Sequence, residues 1–259
     1  MEHAVRLSEV GNPNRDQTVQ GISLPGVHNH IHRNQSSAIR KRPILPDIMQ
    51  QYYRARAPEY DLFYEVPGRL NELADLKAWL IERTKGRTIL EVAAGTGYWT
   101  EAVAPHAKAV TATDYNSETL EIAAKRPLGP HVVMLTADAY SLPHFTTAFD
   151  AGMAHLWWSH VERQRLKPFL SHFASRLSPG ATLLMIDQLY VEGICSPISR
   201  KDSWGNQYTV RQLKDGSAYE IIKNFPEPGE PEDSLSEICK DISVVRLRHF
   251  WALSAKLRD

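Results

Sequence analysis

The chain has 259 residues, with little cysteine, no excess of either charge and no long apolar run. Cys195 and Cys239 are its two cysteines, far apart and without CxxC spacing, so neither a disulfide framework nor a zinc site is indicated and no metal is expected. Lys+Arg and Asp+Glu both total 30, which leaves no global field to draw in nucleic acid or an anionic membrane. The opening stretch MEHAVRLSEV lacks an apolar segment of signal-peptide length, and nowhere do 18 apolar residues run together. These absences set the expectation of a cytoplasmic protein with a small-molecule partner, no nucleic acid and no membrane. Monomer and homodimer both stay open.

Residues 1–45 are rich in Asn, Gln, Ser, His, Arg and Pro and show no sustained hydrophobic period, so they read as a disordered tail or a lid. Within them His28, His30 and His32 alternate, but no carboxylate or cysteine nearby completes a ligand set, and the basic IRKRP from Ile39 reads as solvated. Residues 46–259 read as one domain. Ile48, Tyr52 and Ala55 share a helical face that Pro58 interrupts, and Leu70, Leu73, Leu76, Leu80 and Ile81 follow a helical period that ends at Gly86. Five short runs, TILEVA, AVTAT, HVVMLT, FDAGMA and ATLLMIDQLYV, then read as buried strands. Helical WTEAVAPH, SETLEIAAKR and VERQRLKPFLSHFASRL lie among them. Such alternation implies a parallel sheet covered on both faces, an open, doubly wound α/β fold. Further on, Asp215-Gly216 between two β-rich stretches predicts an added C-terminal β-hairpin, SLSEICKDI a short helix, and VVRLRHFWALSAKL one long closing strand.

The informative stretch is ILEVAAGTGYWT, Ile89 to Thr100. Ala93, Ala94, Gly95, Thr96 and Gly97 present almost bare backbone between the first strand and the next helix, so a ligand can approach closely and meet N–H groups. Counted from Gly95, the dinucleotide pattern GxGxxG fails at Thr100, and no Gly-Lys-Ser/Thr follows to make a P-loop. A different nucleotide derivative is left. Asp114 ends the second strand about twenty residues after the glycines, where a carboxylate can accept from both hydroxyls of a ribose. Asp138 ends the third.

These segments resemble the class I S-adenosylmethionine-dependent methyltransferases of the small-molecule type, from about Tyr52 to the C-terminus. EVAAGTGYW is similar to their motif I, ATDYN to the ribose-binding acid, TADAYSLP to the adenine-binding segment, FDAGMAHLWWSHV to the fourth-strand motif, and YYRARAPEYD to a helix that covers the cofactor. Ala93 stands where the family usually has the first glycine of its motif. The resemblance implies a Rossmann-like, mostly parallel seven-stranded sheet. It implies S-adenosyl-L-methionine as cofactor and S-adenosyl-L-homocysteine as product. It also implies that Gly95 and Gly97 line the methionine and ribose portions, with Tyr115 beside the Asp114 acid. Asp138 and the Ala139 N–H would meet adenine. The Ala154 carbonyl with Tyr52 or Tyr53 would lie near the methionine end, while Glu91 orients the turn or reaches the amino group through water. Helix-face packing is the alternative for both tyrosines.

Methyl transfer from a sulfonium needs alignment and exclusion of water, which can supply about 7–11 kcal/mol of barrier lowering. Trp157, Trp158 and Trp204 are candidate walls of the substrate pocket. His155 and His160 are candidate bases because imidazole titrates near neutrality. His160 has a competing reading, since Ser159 and Glu162 fit a capping box S-x-x-E that would make it the first helical residue. The insert at 192–225, with Arg200, Trp204, Tyr208 and the hairpin, reads either as a roof over the pocket or as a surface ribbon. Signatures of nucleobase methylation are absent. The expected reaction is therefore methylation of a small, aromatic or heterocyclic metabolite at oxygen or nitrogen. Two other readings stand beside it: a different S-adenosylmethionine-dependent reaction on the same scaffold, and a non-catalytic S-adenosylmethionine-binding partner protein.

Overall fold

The computed structural model describes residues 48–259. The tail reading of residues 1–45, with His28, His30 and His32, lies outside the described residues. Helix α1, Ile48–Arg56, stops where Pro58 forbids its continuation, and the chain tightens into a 3-10 helix over Ala57–Glu65. Helix α2, Leu70–Thr84, turns Leu73, Leu76 and Leu80 into the core, whereas Leu70 stands 48% exposed at its first turn.

The main sheet is built from β1 Thr88–Val92, β2 Ala109–Asp114, β3 Val132–Thr136, β4 Ala151–His155 and β5 Thr182–Gln188, with β9 Cys239–Arg246 and β10 Phe250–Leu257. Its order is β3-β2-β1-β4-β5-β10-β9. The first five strands run parallel, and β10 returns antiparallel to both β5 and β9. Helices α3 Tyr98–Val103, α4 Ser117–Ala123 and α5 Arg163–Ala174 connect successive strands. Alternate residues of one strand serve opposite cores. Leu90 and Val92 pack with Phe169, Phe173 and Trp251 on one side, while Ile89 packs with Leu80, Val103 and Phe250 on the other. Burying such side chains on both faces, at about 1.5–3 kcal/mol each, explains why these strands read as nearly continuous apolar runs.

The C-terminal third corrects three expectations. SLSEICKDI is not a helix: α6 spans Glu230–Leu235, where Pro231 and the acids Glu230, Glu232 and Asp233 suit a helix start, and Cys239 already opens β9. The closing segment is two strands, because the chain reverses over 247–249, where the Leu247 N–H donates to the Phe250 carbonyl and Glu72 holds His249. The hairpin at Asp215-Gly216, β7 Gln207–Gln212 with β8 Ala218–Ile222, gains a third strand, β6 Ile198–Lys201. Helix α1 covers this small sheet, with Tyr52 buried against Leu213 and Ile221.

Candidate active site

Where β1 ends, the chain turns through backbone conformations that side chains disfavour. Ala93, Gly95 and Gly97 have φ of 56°, 58° and 76°. An alanine so held costs about 1–2 kcal/mol, the local strain of a turn that must stay tight. Hydrogen bonds hold the turn. The Gly95 N–H donates to Asp114 Oδ2 at 2.8 Å, and the Gly97 N–H to the Ala94 carbonyl at 3.0 Å. Arg126 Nε donates to the Thr96 carbonyl at 2.6 Å and its guanidinium pairs with Asp61 and Glu101, while the Thr96 hydroxyl also donates to Asp61. This clamp left no trace in the sequence reading, since Asp61 and Arg126 lie on segments with no local signal of contact.

Against the turn lies a cavity of about 310 Å³, within the size range of small-molecule sites. Its wall follows the carboxyl ends of the parallel strands: Ala93 and Gly95 after β1, Asp114, Tyr115 and Asn116 after β2, Asp138 and Ala139 after β3, His155, Leu156 and Trp157 after β4. Met49 and Tyr53 of α1 and His160 complete it. No heavy atom stands within 4 Å of the place a Gly95 Cβ would take, whereas a Cβ on Gly97 would lie 2.9 Å from that of Ala123. The two glycines therefore serve different needs, one an open wall and the other the contact of α3 with α4.

Several polar groups face this space with capacity to spare. Asp114 takes the Gly95 and Asn116 N–H groups, one on each oxygen, and a carboxylate has about four acceptor positions. Burial raises its pKa, opposed by the N–H groups of Asn116 and Gly95, the Thr119 hydroxyl and the Tyr115 N–H. Asp138 accepts from the Tyr140 N–H at 2.9 Å and the Ser141 hydroxyl at 3.3 Å. Asn116 Oδ1, Trp157 Nε1 and both ring nitrogens of His155 are buried without a partner among the described residues. Buried polar atoms of this kind are uncommon and fit a bound polar ligand.

The two histidines differ from their expected chemistry. Burial lowers His155 to about 3, so its ring is neutral. Burial, then Lys223, lowers His160 well below the usual histidine value. His160 Nδ1 lies 2.8 Å from the Ile222 carbonyl, which can only accept, so Nδ1 carries the hydrogen and Nε2 accepts from the Tyr53 hydroxyl at 2.6 Å. Both nitrogens are thus engaged. The capping box does not form either: Ser159 donates its N–H and hydroxyl to Asp187, His160 ends a 3-10 turn, and α5 begins at Arg163.

Other expected site residues lie outside the cavity. Tyr52 is buried beneath the small sheet and accepts from Arg56 at 2.7 Å. Glu91 is buried behind the turn, accepting from the Thr100 hydroxyl at 2.6 Å, and burial pushes its carboxyl up to about 8. Ala154 is buried within β4. Trp158 packs on Trp251 with ring centroids 5.5 Å apart, in the core rather than the pocket. Trp204 is 66% exposed. Arg200 pairs with Glu220 at 2.8 Å and covers the Tyr208 ring, so both lie on the small sheet away from the cavity. A tryptophan's size marks it for burial or a pocket alike, and the sequence had no means to separate the two. Asn116, Leu156 and Tyr60 line the cavity without having been singled out. Leu156, with φ of 54°, is strained there as well.

Residues 89–180 match a family described as a methyltransferase domain. A demethylmenaquinone methyltransferase of Renibacterium salmoninarum is 30% identical over 144 residues, 55% of this chain and 59% of that protein, so the match spans little more than half of the relative. Among solved structures, the DhpI–SAH complex shares 27% identity at a TM-score of 0.67, covering 82% of this chain and 96% of DhpI. The N-methyltransferase NodS of Bradyrhizobium japonicum, with S-adenosyl-L-homocysteine bound, has a TM-score of 0.59 at 14% identity, covering 82% of this chain and 100% of its own, and shares the fold alone. Matched domain, sheet order and structural likeness agree: residues 89–180 are similar to a methyltransferase domain, and the chain around them is similar in fold to DhpI, a protein solved with SAH bound.

Proposed function

We propose that the chain transfers a methyl group to a small-molecule acceptor at oxygen or nitrogen, with S-adenosyl-L-methionine in the larger cavity. The observation that carries this reading is the set of acceptors and bare backbone on that wall: the carboxylates of Asp114 and Asp138, the unpartnered Asn116 Oδ1 and the open face of Gly95. Bound there, the cofactor supplies an electrophilic methyl on a sulfonium. Asp114 accepts from the ribose hydroxyls. Asp138 and the Ala139 N–H meet the adenine edge, and Tyr115 covers it. Tyr53, fixed by His160, closes the methionine end with Leu156 and Trp157 and excludes water.

His160 acts in this reading as a positioning residue for Tyr53, not as a base, because its one free lone pair is already used. His155 remains neutral. The aromatic or heterocyclic acceptor rested on Trp157, Trp158 and Trp204, of which Trp157 alone lines the cavity. That support is reduced to one ring. Incubating the full chain with S-adenosyl-L-methionine and a metabolite pool is expected to release S-adenosyl-L-homocysteine together with one methylated product. Binding of the cofactor without any turnover across the pool would favour the non-catalytic partner instead.

A further inference from the structure

Beside the larger cavity, and sharing its wall of Tyr53, Tyr60, Leu156 and His160, lies a second of about 70 Å³. A water's share of the liquid is about 30 Å³, so this space suits a headgroup of a few heavy atoms and not a second ring system. Its lining is unusual in charge. Arg56, Arg69, Arg211 and Lys223 all reach it, and no carboxylate does.

The three arginines have no ion-pair partner among the described residues. Arg56 donates to Tyr52, Arg211 to Ser196 at 2.8 Å, and Arg69 lies over the Phe63 ring. Arg69 is only 7% exposed. The Nε atoms of Arg69 and Arg211 are both buried without an acceptor. Lys223 is the exception, bonded to Ser159 at 2.7 Å and paired with Asp187 at 3.4 Å. Glu72, the carboxylate that acts on Arg69 from outside the lining, is committed to His249 at 2.7 Å. Burying a guanidinium costs several kcal/mol unless an anion compensates it, and guanidinium forks match carboxylate and phosphoryl oxygens in pairs.

We propose that the second cavity is an oxyanion subsite, in which Arg69 and Arg211, with Arg56 and Lys223, hold the carboxylate or phosphoryl group of the methyl acceptor. The acceptor is then a small anion that enters between Tyr53 and Leu156, its charged end anchored and the remainder facing the larger cavity. Its assignment as acceptor rests on the methyltransferase reading above; the anion site itself does not.

The test is calorimetry on the full chain loaded with S-adenosyl-L-homocysteine, titrated separately with inorganic phosphate and with acetate. One anion per chain is expected to bind with a dissociation constant of about 1 mM. Arg211→Gln should weaken it about tenfold or more, as loss of a charged hydrogen bond does, and Arg246→Gln, a surface residue paired with Glu232, should not. Preference for phosphate would identify a phosphoryl acceptor, and preference for acetate a carboxylate. If the loaded chain binds neither anion, or if Arg246→Gln weakens binding as much as Arg211→Gln, the subsite is refuted while the cofactor reading stands. The wild-type titration decides by itself should Arg211→Gln fail to fold. Failure of S-adenosyl-L-homocysteine to bind strikes the cofactor reading instead, and titrating the unloaded chain then still judges the anion site.

Discussion

Asp114 shows how one side chain carries structure and, in the proposed function, binding. Its position after the second strand was legible from spacing, because the distance from the glycines to that strand end is set by one helix and one strand. Its bonds to Gly95 and Asn116 were not legible, since they depend on how the turn curls in three dimensions. Glu91 illustrates the same limit. An acid inside an apolar strand signals a special role, but its protonation follows from burial that only the packed sheet reveals. With its carboxyl raised to about 8 from 4.5, Glu91 contributes stability that is complete below pH 4.5 and is lost as the pH rises through 8. His155 acts in the opposite sense: lowered from 6.5 to about 3, it favours the fold above pH 6.5 and weakens it as the pH falls. Denaturant unfolding should therefore show stability declining between pH 6.5 and 8 by up to about 1.4 kcal/mol per unit from Glu91. Glu91→Gln should remove that decline, and an unchanged slope in the variant would contradict a neutral buried carboxyl.

At the scale of elements, the parallel strands were readable because burial on both faces writes long β-branched and apolar runs. The reversal over 247–249 was missed because Leu247, Arg248 and His249 include no glycine, proline or asparagine; Glu72, far away in sequence, secures it. The strand-to-helix turn lies between these extremes. Its glycines were visible, their division of labour was not. Gly95→Ala should cost only the strain of a left-handed alanine, about 1–2 kcal/mol, yet abolish measurable binding of S-adenosyl-L-homocysteine, since its methyl enters the space the ligand needs. Gly97→Ala carries the same strain plus a collision with Ala123 and should be the less stable protein by about 1–3 kcal/mol. Thermal unfolding and calorimetry on both variants check this. Equal stability with equal binding would undo the distinction.

Over the whole molecule, a sheet with an antiparallel pair at one edge presents its parallel strand ends to a single cleft, and α1 with the small sheet stands over the same end. The half of that cleft proposed for the cofactor is built from local, sequential signals at the ends of β1 to β4, so its lining residues were legible in the sequence. The other half is assembled from α1, the chain between α1 and α2, and β7–β8, whose arginines carry no local signal and were not singled out; Arg200 was chosen, whereas Arg56, Arg69 and Arg211 line the second cavity. Among the described residues no helix is long and apolar enough to cross a membrane. The proposed cofactor lies against the glycine turn with its ribose on Asp114. Calorimetry with S-adenosyl-L-homocysteine on the wild type and on Asp114→Ala, with circular dichroism to confirm that both are folded, tests this directly. One ligand per chain and a loss of about tenfold or more in the variant is the expected result; equal affinity in two folded proteins, or no binding to the wild type, would contradict it.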